Sequence, residues 1–291
     1  MRIQAAVALA LLLVVAPAHG QRPTFTTAIE AVRVDVLATE NGRPIQGLGP
    51  ADFEILDSGV LQQVDMVTLE QLPVNLVLAL DLSDSVTGER LDHLREAAGV
   101  VLDGLAREDR AALLTFCHLV TLRQRPTPDL GAVRLALASV KAEGDTALVD
   151  GAYAGLMLAE LDPGRSLVIV FSDGIDTSSW LPPRAVVDAA KRCSAVVYSV
   201  SAGPSRPAPF LRDLSAATGG TLFEVRSTST LPAVFGRILT EFRQRYLLSY
   251  TPRGVTKDGW HPLEVRVRRR HAVVKARPGY LVGSMPATPG R

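Results

Sequence analysis

The 291-residue chain has few cysteines, few aromatic residues and no excess of either charge. It contains two cysteines and 5% aromatic residues, and its 31 Lys and Arg nearly balance its 30 Asp and Glu. This balance gives no indication of nucleic acid as a partner. Beyond residue 20 the chain lacks any apolar run long enough to cross a bilayer, so no membrane span is expected. The 47% of apolar residues suffice for a packed core, which excludes disorder, coiled coil and collagen.

The first twenty residues have the pattern of a secretory signal peptide. A short basic start precedes an apolar run over residues 5–15, and Ala18 and Gly20 put small residues at −3 and −1 of a cleavage site. The run is shorter than the about 20 residues that a membrane helix needs, so we favour cleavage over a retained anchor. We therefore expect the mature protein to be exported, either to the periplasm or to the extracellular space.

The rest of the chain divides into three stretches by its hydrophobic pattern. Residues 21–73 alternate apolar and polar side chains, which predicts β-strands. Residues 74–243 alternate strand-length apolar runs with helical segments. Residues 244–283 return to a β pattern, and residues 284–291 form a tail that we expect to be disordered.

These stretches predict an α/β fold. Strands that alternate with helices over residues 74–243 indicate a doubly wound, mostly parallel sheet of six strands. The apolar run at 74–80 is typical of a parallel strand that is covered on both faces. Each β-rich end is too short for a stable sheet of its own. We therefore expect both ends to form one small β-sandwich, with the α/β domain inserted between them.

The two cysteines are candidates for a disulfide in an exported protein. Cys117 ends one strand-like run, and Cys193 precedes another strand. The predicted sheet order puts them on opposite sides of the central strand, too far apart to bridge. We favour two buried thiols.

The C-terminal β stretch is strongly basic. Residues 242–291 contain eleven Lys and Arg and two Asp and Glu, and Arg266, Arg268 and Arg270 alternate on one predicted strand face. No aromatic residues are interleaved with these arginines. A solvated, aggregation-resistant strand face is therefore favoured over a site for a polyanion.

Polar side chains cluster where the apolar strands of the central stretch end. Asp81, Ser83 and Ser85 follow the first of these strands, and residues two apart point the same way in extended backbone. Thr146 lies in a loop before a helix, and Asp173 follows another apolar strand. Open α/β sheets bind their ligands at the carboxyl ends of their strands. We therefore expect these five side chains to meet at one edge of the sheet.

The donor set suits a hard divalent cation. All five side chains offer oxygen and only two are charged, which favours Mg²⁺ or Mn²⁺ in octahedral geometry with a position open to an outside ligand. The five histidines show no metal-ligand spacing, so zinc is not predicted. The alternative is that Asp81 and Asp173 only cap helices.

Three segments resemble the metal-ion-dependent adhesion site, or MIDAS, of von Willebrand factor type A (vWA) domains. They are Asp81-Leu82-Ser83-Asp84-Ser85, Gly144-Asp145-Thr146 and Phe171-Ser172-Asp173-Gly174. The resemblance implies a Rossmann-like vWA fold in which Asp81, Ser83, Ser85, Thr146 and Asp173 occupy the five metal-site positions. Mg²⁺ or Mn²⁺ would be bound, with Ca²⁺ as an alternative. The flanks at 52–64, 246–252 and 277–280 are similar to a bacterial exported subgroup of VWFA-related domain proteins.

The chain departs from the family pattern at two positions. Asp84 and Asp145 stand where the family often has Gly. Either carboxylate near the ion would repel an acidic partner or favour Ca²⁺, but we expect both to face water. Asp150 and Asp176 are expected to act as helix caps or to lie on the surface.

Three functions are compatible with these observations. The favoured one is a binding module that captures a protein partner through the bound ion, with an acidic group of the partner completing the coordination. The second is a structural subunit of envelope assembly in which the metal only stabilises the fold. The third is an enzyme, which we do not expect, because aspartyl phosphotransfer sites generally have a second Asp where Ser83 stands. The chain also has no nucleophile elbow or Walker loop.

Overall fold

The computed structural model describes residues 31–69, 72–161, 164–203, 209–269 and 271–283. The expected signal peptide and C-terminal tail lie outside these residues. The described strands are β1 (Val32–Glu40), β2 (Arg43–Pro44), β3 (Phe53–Asp57), β4 (Val60–Gln62), β5 (Met66–Thr68), β6 (Val74–Asp81), β7 (Arg110–Phe116), β8 (Val120–Thr127), β9 (Arg165–Ser172), β10 (Val196–Ala202), β11 (Leu222–Val225), β12 (Tyr246–Tyr250), β13 (Gly259–Val267), β14 (Ala272–Lys275) and β15 (Gly279–Val282). The described α-helices are α1 (Glu89–Asp103), α2 (Leu130–Ser139), α3 (Leu148–Ala159), α4 (Pro183–Ala190), α5 (Pro209–Ala217) and α6 (Leu231–Arg243).

The central sheet has six strands in the order β11-β10-β9-β6-β7-β8. Five of them are parallel, and β8 runs antiparallel to β7. The mostly parallel six-stranded sheet predicted from the sequence is thereby confirmed. From β6 the chain proceeds to β7 on one side and later to β9 on the other. The carboxyl ends of β6 and β9 therefore form the switch point at which such sheets bind ligands.

Helices cover both faces of this sheet. Leu76, Leu78 and Leu80 of β6 pack into an apolar cluster with α1, α2 and α6. Val77 and Ala79 face the opposite way, into a cluster with α3, α4 and α5. Because both faces are covered, every residue of β6 is buried. This burial explains why the sequence of the strand reads as an unbroken apolar run.

The two ends of the chain form a second unit, which we call the β-unit (residues 31–69 and 246–283). One of its sheets has the order β14-β1-β12-β5 with β2 beside β1, and the other has the order β15-β13-β3-β4. Each sheet contains strands from both chain ends. Residues of both sheets, among them Val34, Ile55, Leu248 and Leu263, share one apolar cluster. That the β-unit behaves as a separate sandwich domain remains a prediction.

Two element boundaries differ from the sequence pattern. Strand β13 begins at Gly259 and passes through Pro262, which pairs with Gly279 of β15. Because proline has no N–H to donate to a neighbouring strand, Pro262 argues in the sequence against a strand at this position. Thr127-Pro128 has the pattern of a helix start, but Thr127 ends β8 and helix α2 begins only at Leu130, because the Asp129 carboxylate accepts a hydrogen bond from the Ala132 amide at 3.1 Å.

The two cysteines are free and buried, as expected. Strands β9 and β6 lie between β7, which precedes Cys117, and β10, which follows Cys193. Burial, together with a hydrogen bond to Glu160 and the charge of that residue, raises the pKa of the Cys193 thiol to about 12. The thiol is therefore protonated and unreactive at neutral pH.

The basic strand face is solvated. Arg266 and Arg268 are exposed, and their guanidinium groups lie 2.6 Å from Glu264 and 3.0 Å from Glu54. Arg270 lies outside the described residues. Since both described arginines are paired with acidic neighbours, the expectation of a solvent-exposed face agrees with the structure.

Buried arginines join the β-unit to the central domain. Arg245 is 0% exposed and donates to the Tyr198 hydroxyl at 3.0 Å and the Gly219 carbonyl at 2.5 Å in the central domain, and to the Asp35 carbonyl of β1 at 3.4 Å. Arg165, at the start of β9, forms a buried ion pair with Asp35 of β1. These contacts attach the β-unit to the central domain near the amino ends of β9 and β10, whereas Asp81 lies at the carboxyl ends of the parallel strands.

Among the described helices, none has the length and apolar character to cross a membrane.

Candidate metal centre

Asp81 lies at the end of β6, beside the end of β9. The register of the two strands pairs Leu80 with Phe171, so the side chains of Asp81 and Ser172 are neighbours. Asp81 is 0% exposed, and its Oδ2 accepts the Ser172 hydroxyl at 2.6 Å. Its Oδ1 accepts the Ser83 amide at 2.9 Å. The carboxylate is thus fixed in position and shielded from water.

The environment of Asp81 disfavours its negative charge. Burial, which has the largest effect, and the nearby charge of Asp173 together raise the pKa of Asp81 to about 6, although the hydrogen bonds from Ser172 and Ser83 lower it in part. A cation between the two carboxylates would favour their ionised forms. The electrostatics of the site therefore fit a bound cation.

The structure brings both serines of the loop after β6 to Asp173. The hydroxyls of Ser83 and Ser85 lie 3.1 Å apart, and the Ser85 hydroxyl donates to Asp173 Oδ1 at 2.6 Å. Two of these side chains are almost completely buried: Ser83 is 3% exposed and the Asp173 carboxylate 2%. Four of the five predicted residues thus form one connected group of oxygen atoms around the ends of β6 and β9.

Thr146 reaches the same place from the loop before α3. It is buried, and a Cβ atom built on Gly174 would lie 3.6 Å from the Thr146 hydroxyl, which therefore faces the backbone after Asp173. Its carbonyl accepts the Thr177 amide at 2.9 Å and the Ser178 amide at 3.1 Å. These bonds hold the loop after β9 against the loop before α3.

Asp84 connects two loops of the site. Its carboxylate accepts the Gly144 amide at 2.9 Å, and its own amide donates to the Gly144 carbonyl at 2.9 Å. Gly144 has φ +70°, and a Cβ atom there would lie 2.5 Å from Nδ1 of His118. The prediction that Asp84 simply faces water is therefore incomplete, because this exposed side chain fixes the loop that carries Thr146. Asp145 is exposed, as expected.

The other two aspartates near the site bind backbone amides. Asp150 accepts the amides of Trp180 and Leu181, both at 2.9 Å. Asp176 accepts the amide of Val149 at 3.2 Å. Both therefore connect the first turn of α3 to the loop after β9. Asp176 binds an amide in the first turn of α3, as a cap does, whereas Asp150 binds amides of the loop and caps no helix.

Arg90 is a residue of the site that the sequence analysis missed. It is the second residue of α1, and its Nη1 atom donates to Asp173 Oδ2 at 3.0 Å and to the Ser85 carbonyl at 3.2 Å. One signal in the sequence could have found it. A basic residue in the first turn of a helix is disfavoured by the helix dipole, so its presence beside the Asp-x-Ser-x-Ser loop suggests an acidic contact elsewhere.

The donor set is consistent with a hard metal ion. The described residues contain no group of three or more His, Cys, Asp and Glu side chains arranged around a common point. The candidate centre instead combines two carboxylates, Asp81 and Asp173, with the hydroxyls of Ser83, Ser85 and Thr146. Oxygen donors of this kind suit Mg²⁺, Mn²⁺ or Ca²⁺.

Comparison with known sequences agrees with this geometry. The von Willebrand factor type A domain family matches residues 75–237. An uncharacterized protein of Synechocystis sp. is 33% identical over 91 residues, which are 31% of this chain and 22% of that protein. Human inter-alpha-trypsin inhibitor heavy chain H4 is 27% identical over 146 residues, which are 45% of this chain and 16% of that protein. The chain thus matches less than a quarter of the length of these curated relatives.

Solved structures share the fold at low sequence identity. A von Willebrand factor type A protein from Catenulispora acidiphila has a TM-score of 0.55 at 13% identity, over 89% of this chain and 65% of that chain. Proximal thread matrix protein 1 from the mussel byssus, with a zinc-occupied MIDAS motif, has a TM-score of 0.54 at 14% identity, over 64% of this chain and 49% of that chain. The vWF domain of the pilus tip protein Mfa5 from Porphyromonas gingivalis has a TM-score of 0.50 at 13% identity, over 64% of this chain and 98% of that chain. Since the family match covers more than half of the sequence, this chain belongs to the von Willebrand factor type A domain family.

Proposed function

We propose that the protein is an exported binding module that captures a protein partner through a divalent metal ion. The observation that carries this proposal is the convergence of Asp81 and Asp173, from the ends of two neighbouring strands, with the hydroxyls of Ser83, Ser85 and Thr146. Export follows from the pattern of residues 1–20. The mussel protein with a zinc-occupied MIDAS motif and the pilus tip domain, which share the fold, support a role of this kind.

In this proposal, Asp81, Ser83, Ser85, Thr146 and Asp173 hold Mg²⁺ or Mn²⁺, directly or through water. The ion would supply an open coordination position that a carboxylate of the partner fills. Ser172 and the Ser83 amide orient the buried Asp81 carboxylate, and Asp84 holds the loop that carries Thr146. The fixed geometry lowers the entropy cost of coordination, because these side chains are already ordered.

An unbiased capture experiment tests the proposed function. The purified protein is immobilised and exposed to envelope extract of its source cells in Mg²⁺, in EDTA, and in EDTA followed by excess Mg²⁺. Partners that bind in Mg²⁺, leave in EDTA and return with Mg²⁺ are expected for the protein but not for Asp173→Ala. Asp103→Ala is the matched control, since it removes an exposed carboxylate that pairs with Arg134 far from the site.

The outcome discriminates between the functions. Capture that is equal in Mg²⁺ and EDTA would contradict a partner contact through the ion. If the metal nevertheless raised the melting temperature, the structural role, in which the ion only stabilises the fold, would become the better account.

A further inference from the structure

Arg90 lies against the candidate metal site without being a metal ligand. The Asp173 side chain that it contacts is 2% exposed, whereas the Arg90 side chain is 50% exposed. The guanidinium group therefore covers a buried carboxylate while half of the arginine side chain remains exposed to water. Such a side chain can leave its position without disturbing the core.

Helix stability does not account for this arginine. The first turn of α1 also contains Glu89 and Asp92, whose charges suit the positive end of the helix dipole. A cation in the same turn is repelled by that dipole. The attraction that holds Arg90 in place therefore comes from the Asp173 carboxylate and the Ser85 carbonyl, of which only the carboxylate is charged.

We propose that Arg90 is a built-in cation that competes with the divalent ion for Asp173 and, once displaced, binds the acidic group of the partner. This inference rests on the proposed function and names a specificity-determining residue for it. Arg90 would thus lower the affinity for the metal ion and also contact the partner directly.

The competition follows from the bonding of Asp173. Its Oδ1 accepts the Ser85 hydroxyl and its Oδ2 accepts Arg90. The Ser85 hydroxyl can turn its proton away and offer a lone pair to the ion, but a guanidinium group has donors only. An ion that binds Oδ2 therefore competes with Arg90 for this oxygen, and two cations held this close to one carboxylate repel each other.

The second contact follows from the charge of the occupied site. The two negative charges of Asp81 and Asp173 cancel the charge of a divalent ion, and the exposed carboxylates of Asp84 and Asp145 lie on the adjacent loops. The ion and its two carboxylates together therefore carry no net positive charge that would attract an acidic partner. A released Arg90 supplies a positive charge, and the planar guanidinium group can bind a carboxylate that already gives one oxygen to the ion. Binding of the ion would then increase the affinity of the protein for the acidic group, and binding of the acidic group would increase its affinity for the ion.

Calorimetric titration with Mn²⁺ tests the competition. The metal-free protein is compared with Arg90→Gln, which removes the charge, and with Arg134→Gln, which removes an exposed, ion-paired arginine remote from the site. We expect Arg90→Gln to bind Mn²⁺ about threefold to tenfold more tightly than the unchanged protein, because a half-exposed ion pair that competes with the metal ion and a cation–cation repulsion are both lost. Arg134→Gln should retain the original affinity, and circular dichroism checks that the variants are folded.

A second titration in acetate tests the contact with the acidic group. Acetate should increase the Mn²⁺ affinity of the unchanged protein at least twofold more than that of Arg90→Gln, because only the former offers the guanidinium group. An equal effect of acetate in both proteins would overturn the partner contact.

The failures of the two proposals are distinguishable. Mn²⁺ binding by Arg90→Gln that is unchanged or weaker would overturn the inference and leave the proposed function intact. Absence of Mn²⁺ binding in all three proteins would overturn the proposed function itself.

Discussion

Asp81 is a buried carboxylate, and its electrostatic environment favours a bound cation. Its carboxylate is completely buried, and burial raises its pKa to about 6. The hydrogen bonds from Ser172 and the Ser83 amide offset only part of this effect. Without a cation the negative charge of Asp81 therefore destabilises the folded state at neutral pH.

Asp81→Ala should abolish Mg²⁺ binding measured by calorimetry and leave the circular dichroism spectrum intact. Mg²⁺ should raise the melting temperature of the unchanged protein, because a ligand at 100 times its Kd stabilises the native state by about 2.7 kcal/mol. The variant should show no such shift, and Asp103→Ala should behave like the unchanged protein. Undiminished metal affinity in Asp81→Ala would contradict the assigned site.

Asp57 is a second buried carboxylate, and it lies in the β-unit. It accepts hydrogen bonds from Tyr280 at 2.7 Å, Tyr250 at 2.9 Å and His261 at 3.0 Å. Burial acts to raise the pKa of Asp57, but these bonds and that from Ser58 outweigh it and lower the pKa below 3.8. The three long-range donors come from the C-terminal end of the chain and the acceptor from the N-terminal end, so this cluster links the two.

Asp57→Asn should lower the free energy of unfolding at pH 7 by about 1–3 kcal/mol, because it replaces a charged acceptor by an amide. The native state of the unchanged protein binds fewer protons here than the unfolded state, so this stabilisation is present above pH 3.8 and is lost as the pH falls through the lower native pKa. Urea unfolding at pH 7 and pH 3 measures the effect. An equal loss on acidification in protein and variant would rule out this role for Asp57.

At the scale of elements, α6 connects the vWA domain to the β-unit. Its residues Ile238 and Leu239 are buried in the cluster that contains α1. Its last residue, Arg243, forms an ion pair with Asp109, and the next residue but one is the buried Arg245. A shift of α6 on ligand binding would have to break these contacts. Here, the buried contacts at its C-terminal end favour a static support.

Ile238→Ala should lower the free energy of unfolding by about 2–5 kcal/mol, since it leaves a cavity in a packed core. If α6 is a static support, the affinity for the partner, measured at equal folded fraction, should stay unchanged. A higher affinity in the variant would instead demonstrate a displaced helix state that favours binding.

At the scale of the whole molecule, the β-unit depends on both ends of the chain. Strand β1 pairs with β12 and β14, and β3 pairs with β13. Neither chain end alone has the neighbouring strands that pair with β1 and β3 here, or the second sheet that buries its apolar side chains. In the central domain, by contrast, all six described strands and six described α-helices lie within residues 74–243.

Residues 25–73 and residues 246–281 should each fail to fold in isolation, because a lone small sheet buries too little surface. A protein shortened to residues 74–243 should fold by itself and retain Mg²⁺ binding, although it loses the buried pair between Arg165 and Asp35. NMR dispersion and thermal unfolding measure both. A dispersed spectrum with a cooperative melt from the N-terminal piece would contradict a shared β-unit.

The sequence by itself determined the α/β class, the mostly parallel sheet and the placement of Asp81 and Asp173 at the carboxyl ends of neighbouring strands. These features follow from local patterns, because apolar runs mark buried parallel strands and the carboxyl ends of neighbouring strands share one edge. The pattern was informative because burial on both faces of β6 and β9 leaves almost no freedom in the residue types.

Only the tertiary structure decided the contacts between residues that are distant in sequence. Arg90 meets Asp173 across 83 positions, and Asp84 meets Gly144 across 60. Arg245 falls in what the sequence presents as a short connection, yet it is completely buried, because Tyr198 and the Gly219 carbonyl accept its hydrogen bonds. Hydrophobic periodicity in the sequence indicates which apolar residues are buried, but it does not indicate whether a charged residue is buried. Whether it lies in water or in the interior depends on acceptors that packing alone brings to it.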